Sequence, residues 1–142
     1  PVTVEEGIEQ SCNPYFWLMY RDLLQKDGYG NDHKAFKQNY QKWRDYIMSF
    51  GLGKKFENTD IGAQVSGSVP TIEQYDKIYN KRGWKAVTIR SLSIGQGELL
   101  VTPLQLANQA AAIANKGYYI TPHFNKNDSM KSNVFTTYLL GL

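Results

Sequence analysis

Apolar residues recur at helical spacing through most of the chain. Val4 and Ile8 share one side of a short segment over 3–10. A second helix is expected from the stretch "NPYFWLMYRDLLQK", with Phe16, Met19, Tyr20, Leu23 and Leu24 at intervals of three and four and glycines at 28 and 30 beyond its end. Asn13 and Pro14 suit its start, as N-cap and first helical residue. The clearest period lies in "DHKAFKQNYQKWRDYIMSF", where Phe36, Tyr40, Trp43, Ile47 and Phe50 form one stripe and Lys34, Lys37, Lys42 and Arg44 stand largely off it. Gly51 and Gly53 close that helix.

The period then stops. Residues 57–69 read as an irregular loop punctuated by Gly62, Gly67 and Pro70. "TIEQYDKIYNK" predicts a short helix with Thr71 as its cap, and "WKAVTIRSLSIGQGELL" predicts a β-prone patch ending in a glycine turn. Thr102-Pro103-Leu104-Gln105 carries the signature of a capping box with proline in the first turn, so a helix is expected over 103–116. Its alanines at 107, 110, 111 and 114 keep it slim, as a central buried helix would be. "YYITPHF" reads as extended, and the segment 125–132 as polar and loose.

Composition narrows the class. The 142 residues suffice for one domain with a modest core, and 42% hydrophobic with 20% charged residues excludes wholesale disorder. Ten Tyr, six Phe and three Trp place much of the packing on aromatic rings. A net charge of +3, spread without a basic stripe, argues against a nucleic-acid partner. There is no run of eighteen apolar residues, and the chain opens on Pro1, as a processed or excised piece would.

Little chemistry is legible from residue types alone. The single cysteine, Cys12, cannot form an internal disulfide, and no spacing ties it to His33 or His123, so it reads as a small residue packed at a helix junction. Two isolated histidines and one cysteine give no metal-ligand spacing, and neither a metal nor an organic cofactor is expected. Gly95-Gln96-Gly97 lacks the phosphate-cradle patterns and by itself is a turn. Ser11 and Asn13, before a proline, by themselves read as a cap.

Read in order, three pieces change that picture. "SCN" at 11–13, "SFGLG" at 49–53 and "SIGQGELLVTPLQLANQAAAIANKGYYITP" at 93–122 closely resemble the transpeptidase domain of class B penicillin-binding proteins, most nearly penicillin-binding protein 2. The Tyr- and Lys-rich insert before "SFGLG" resembles the Bacteroidetes form. The resemblance covers roughly residues 3–123, whereas the tail 125–142 does not match it.

The family carries three motifs, S-x-x-K, S-x-N and K-T-G, of which only the second is present. The resemblance implies a partial transpeptidase domain over 1–142, the helical lobe of the α/β, serine β-lactamase-like fold, and therefore a mainly α piece with little sheet. It implies a parent D,D-transpeptidase that cross-links peptidoglycan stem peptides through an acyl-serine and binds β-lactams. That parent would stand at the periplasmic face of the inner membrane, anchored by a segment outside this chain, among the cell-elongation machinery. Ser11 matches the serine that relays protons, Asn13 the amide that binds substrate, and Gln96 the loop bordering the substrate groove; Cys12 is the variable middle position.

A hydroxyl both donates and accepts, so it passes a proton without carrying charge, while an amide orients a peptide carbonyl and stays neutral. Without nucleophile, lysine or K-T-G, the chain alone is expected to be inactive. Its exposed apolar surface is expected to make it self-associate or to draw "VFTTYLLGL" over the gap. Two alternatives remain at this stage: a β-lactam sensor or β-lactamase-related acyl-serine protein, and a non-catalytic cell-wall interaction module.

Overall fold

A computed structural model describes residues 2–27, 33–79, 83–126 and 132–134. Among them the elements are α1 (Val4–Glu9), α2 (Asn13–Gln25), α3 (His33–Ser49), α4 (Ile72–Tyr79), a 3-10 helix (Arg90–Ile94), α5 (Pro103–Ala114), β1 (Tyr118–Ile120) and β2 (Ser132–Val134). The structure is mainly helical, as expected, with one antiparallel strand pair that sets Tyr118 opposite Val134 and Ile120 opposite Ser132. Two compact units are formed, one from Pro1–Arg44 and Pro70–Leu99, the other from Asp45–Val69 and Leu100–Leu142.

The first unit is built on aromatic rings. Tyr20 and Leu24 of α2, Tyr40 of α3 and Tyr75 of α4 are buried together with Trp84, Ala86, Ile89 and Leu92. The Trp84 ring stands 5.0 Å from each of Phe36, Tyr40 and Tyr75, the first two edge to face. Three polar groups in and around this core find partners at its rim, whereas the buried Tyr20 hydroxyl has none among the described residues. The Trp84 Nε1–H donates to Asp76 (2.8 Å), which also pairs with Lys37. Hydrogen bonding from Lys37 and then from Trp84 holds the Asp76 carboxyl below the usual carboxylate range. Tyr40 Oη donates to the Pro70 carbonyl at 2.8 Å, fixing where the chain re-enters the unit. Asn39 Nδ2 donates to the Leu24 carbonyl, one of the acceptors that the end of α2 leaves without a helical donor.

The β-prone patch does not form a strand. Residues after Trp84 make turns and then the 3-10 helix. Ile89 and Leu92, both buried, are three residues apart, which is one turn of a 3-10 helix, so this tighter winding puts both in the core.

In the second unit, α5 starts at the expected capping box. Thr102 Oγ1 accepts from the Gln105 N–H (3.2 Å), and the Gln105 side chain accepts from the Thr102 N–H (2.9 Å). Thr102→Ala should therefore cost the 142-residue chain about 1 kcal/mol in urea unfolding, and an unchanged midpoint would show that the box contributes nothing. The same Gln105, only 1% exposed, donates to the carbonyls of Lys54 and Ser66 at 2.8 Å each. Asn108 donates to the Phe50 carbonyl at 2.8 Å. Gln105, Asn108 and Ala112 are the buried line of α5.

The expectation of a central, buried α5 is thus corrected. One amide-bearing edge grips the loop after Phe50, while Leu106 and Ile113 are 50% and 64% exposed and the slim alanines at 107, 110, 111 and 114 face solvent. Gly67 shows how closely the loop approaches. Its φ is +64°, and a Cβ there would fall 2.3 Å from the Leu100 carbonyl oxygen, beside the Ser68–Leu100 bridge. Beyond β1, the Thr59 hydroxyl donates to the Pro122 carbonyl, and the Asp60 carboxylate accepts from the backbone N–H groups of Phe124 and Asn125. The expectation of a loose segment over 125–132 falls partly on 127–131, outside the described residues. So does most of "VFTTYLLGL", of which only Val134 is described, in β2.

Candidate functional site

Helix α1 is short, and a capping box between Thr3 and Glu6 starts it. Its end carries the first candidate. The Cys12 N–H donates to the Gly7 carbonyl (2.9 Å) and the Ser11 N–H to the Ile8 carbonyl (3.1 Å). These are the two hydrogen bonds of a Schellman motif, and Ser11 occupies its left-handed position with φ 49°. Glycine usually fills that position, because a Cβ there crowds the neighbouring carbonyl. Here a serine holds it.

The turn leads directly into α2. The Cys12 carbonyl accepts from the N–H groups of Tyr15 and Phe16, and Pro14 follows in the first helical turn. Asn13 was expected as the N-cap; Cys12 takes that place instead, without a side-chain cap, and Asn13 is the first helical residue. The Schellman turn consumes the backbone up to Cys12, so α2 begins one residue earlier than the Asn-Pro pair suggests.

Ser11 and Asn13 are both exposed, and among the described residues neither side chain has a hydrogen-bond partner. The cap reading of this pair is therefore not what the structure uses. Half-buried Cys12 is a packed junction residue, as expected. The junction itself is tight: Gly7 is buried, and a Cβ on it would come 2.7 Å from the Tyr15 ring.

Gln96 sits on a second left-handed turn of the same unit. Gly95 (φ 71°) ends the 3-10 helix with its N–H on the Leu92 carbonyl, and the Gln96 N–H donates to the Ser91 carbonyl at 2.9 Å. Gly97 (φ 76°) lies against Ser91, where a Cβ would meet the serine Cβ at 3.0 Å. The Gln96 side chain is exposed. Helix α2 packs on the 3-10 helix, so the element that starts at Asn13 and the one that ends at the Gln96 turn are neighbours.

The histidines are taken up locally. A Cβ on Gly83 would fall 2.9 Å from the His33 ring, and His123 Nδ1 lies 2.7 Å from the Thr121 carbonyl. In the second unit a hollow of about 150 Å³ is lined by Phe56, Gln64, Leu104 and Gln105, but both of its amides are already engaged in holding the loop. A contact that motif reading missed ties the glycine turn to the core: Tyr75 Oη donates to Glu98, one residue past Gly97, at 3.1 Å.

The family model of the penicillin-binding protein transpeptidase domain matches residues 1–138, and the chain belongs to that family. Its matches within the family are of the penicillin-binding protein 2 type. It is 30% identical over 122 residues to the peptidoglycan D,D-transpeptidase MrdA of Acinetobacter baumannii, covering 86% of this chain and 16% of that protein. Against MrdA of Haemophilus influenzae the identity is 32% over 123 residues, covering 87% and 16%. The crystal structure of Pseudomonas aeruginosa PBP2 in complex with WCK 5153 superposes with a TM-score of 0.64 at 29% identity, covering 94% of this chain and 27% of that one. A chain of a peptidoglycan synthase complex that coordinates polymerization and crosslinking shares the fold, with a TM-score of 0.63 at 22% identity, over 94% of this chain and 21% of its own length. The chain thus spans about a sixth of the length of the curated relatives it matches and carries the helical lobe of the fold.

Proposed function

We propose that this chain is the part of a peptidoglycan D,D-transpeptidase that supplies the proton relay and substrate amide to an acyl-serine reaction. In the longer protein a serine attacks the penultimate D-Ala carbonyl of a stem peptide. The C–N bond breaks, D-Ala leaves with a proton, and the acyl group passes from serine to an acceptor amine; β-lactams acylate the same serine. Ser11 hands a proton between the lysine of the missing motif and the leaving amine. The Asn13 amide holds the substrate carbonyl, and Gln96 borders the groove. The reaction needs no metal or organic cofactor. The longer protein works at the periplasmic face of the inner membrane, anchored outside this chain, among the cell-elongation machinery.

One observation carries the reading: the fold places Ser11 where glycine is the cheaper residue and, among the described residues, leaves its hydroxyl and the Asn13 amide without a hydrogen-bond partner. A hydroxyl left free of local hydrogen bonds is available to relay a proton, whereas a capping hydroxyl would be engaged. The similarity to the peptidoglycan D,D-transpeptidases MrdA and to the PBP2 structure supports the assignment of reaction class.

The test is labelling by a fluorescent penicillin. The full-length protein carrying this sequence should form a stoichiometric, denaturation-resistant adduct, and the 142-residue chain should form none. A stable adduct on the short chain would overturn the assignment of roles. No adduct on the full-length protein would overturn the transpeptidase reading. Exposed Leu18, Met19 and Leu23 on α2, and Leu106 and Ile113 on α5, are apolar surface that the short chain is expected to cover by self-association.

A further inference from the structure

The Gln96 turn is held at both ends, and the second attachment comes from the aromatic core. On its upstream side the backbone does the work, through the Gly95 and Gln96 amides on the last turn of the 3-10 helix. On its downstream side, among the described residues, no backbone hydrogen bond is made before Leu100, whose N–H and carbonyl pair with Ser68. Instead Glu98, exposed at the surface, accepts a hydrogen bond from Tyr75 Oη. Tyr75 is wholly buried, with its ring against Tyr40, Trp84 and Tyr79. A ring packed on several sides has one orientation, so its hydroxyl is a fixed point. Burial, reinforced by neighbouring Tyr40 and Glu98, pushes the phenol above its ordinary value, so it remains a neutral donor across the working pH range.

We propose that Tyr75 and Glu98 are a positioning pair that fixes the Gly95–Gly97 turn and so holds Gln96 in place along the substrate groove. The proposal rests on the transpeptidase reading given above. Two left-handed glycines flank Gln96, which gives the turn the conformational freedom that such a fastening has to remove. The hydrogen bond joins a buried donor to a solvent-exposed carboxylate, and its contribution is geometric rather than global. Loss of it should free the turn while leaving the ring cluster packed.

The experiment measures the second-order rate of acylation by a fluorescent penicillin in the full-length protein. Tyr75→Phe keeps the ring and removes the donor; Glu98→Ala removes the acceptor from an exposed position. Each should slow acylation by roughly 10- to 100-fold, the scale of a displaced positioning group. Glu98→Gln keeps an acceptor oxygen and should restore most of the rate. In a Gln96→Ala background, Tyr75→Phe should have no further effect, because the pair acts through Gln96. Hydrogen exchange at the amides of residues 96–99 should quicken in Tyr75→Phe while the rest of the unit keeps its protection.

Acylation at the wild-type rate in both single variants, or effects that multiply with Gln96→Ala, would overturn the positioning role. If Tyr75→Phe disturbs the core, Glu98→Ala and its rescue by Glu98→Gln decide the matter alone. Failure of the wild-type protein to acylate would instead overturn the reading on which the pair depends, and the pair with it.

Discussion

Replacing Ser11 by alanine in the full-length protein should slow acylation by roughly 10²–10⁴, the range for loss of an acid–base group, with the melting temperature nearly unchanged. Alanine carries the same Cβ into the left-handed turn, so the backbone strain is the same before and after. The Schellman hydrogen bonds use only main-chain atoms, from Ser11 and Cys12 to Ile8 and Gly7, and survive the change. Ser11→Gly sharpens the test. Glycine relieves the strain, so this variant should melt no lower than wild type, and somewhat higher if the turn is not otherwise constrained. It should nevertheless acylate as slowly as Ser11→Ala. A variant that lost stability while acylating normally would return Ser11 to a purely structural role.

The second large effect is expected at Trp84. It is 1% exposed, and its ring meets those of Phe36, Tyr40 and Tyr75. Trp84→Ala should destabilise the first unit by about 3–5 kcal/mol, the usual cost of emptying a large aromatic site. That is a large fraction of the stability of an ordinary domain. The loss has a second component, because Asp76 gives up the indole donor while keeping its Lys37 partner. Urea unfolding followed by near-ultraviolet circular dichroism reads the change, since all three tryptophans lie in or against this cluster. Trp84→Phe should recover part of the packing and none of the hydrogen bond. A midpoint shift of less than 1 kcal/mol for Trp84→Ala would show that the cluster is not the unit's core.

How much of this was legible depends on the distance over which each signal acts. The helices α2, α3 and α5 follow from apolar periods and from caps, which are properties of ten or so neighbouring residues, and they appear within two residues of the expected bounds. The Thr102–Gln105 box was readable because both halves lie within one helical turn. The turn at Ser11 was not, because the sequence signal for that motif is a glycine, and the position is held by serine. Residues 85–94 carry β-branched side chains, which suit a strand, and what decided their winding was burial against rings from three other segments. The Tyr75–Glu98 pair, 23 residues apart, leaves no local pattern at all. For the site, the resemblance pointed to Ser11, Asn13 and Gln96. The structure adds the unengaged hydroxyl and amide and places both turns in one unit; it corrects the cap.

The carboxylate at Asp60 sets how the second unit meets acid. Backbone donation from Phe124, then from Asn125, depresses its protonation below the usual carboxylate range. A depressed group stabilises the folded state above its unfolded value, and that contribution is lost as pH falls through the folded value. The start of α5 has no such dependence, because Gln105 closes its box and grips the loop with an amide that does not titrate. Acidification therefore acts unevenly along one short piece of chain. It weakens the hold on Phe124 and Asn125, while the helix that precedes β1 and the Thr59 tie to Pro122 keep their footing.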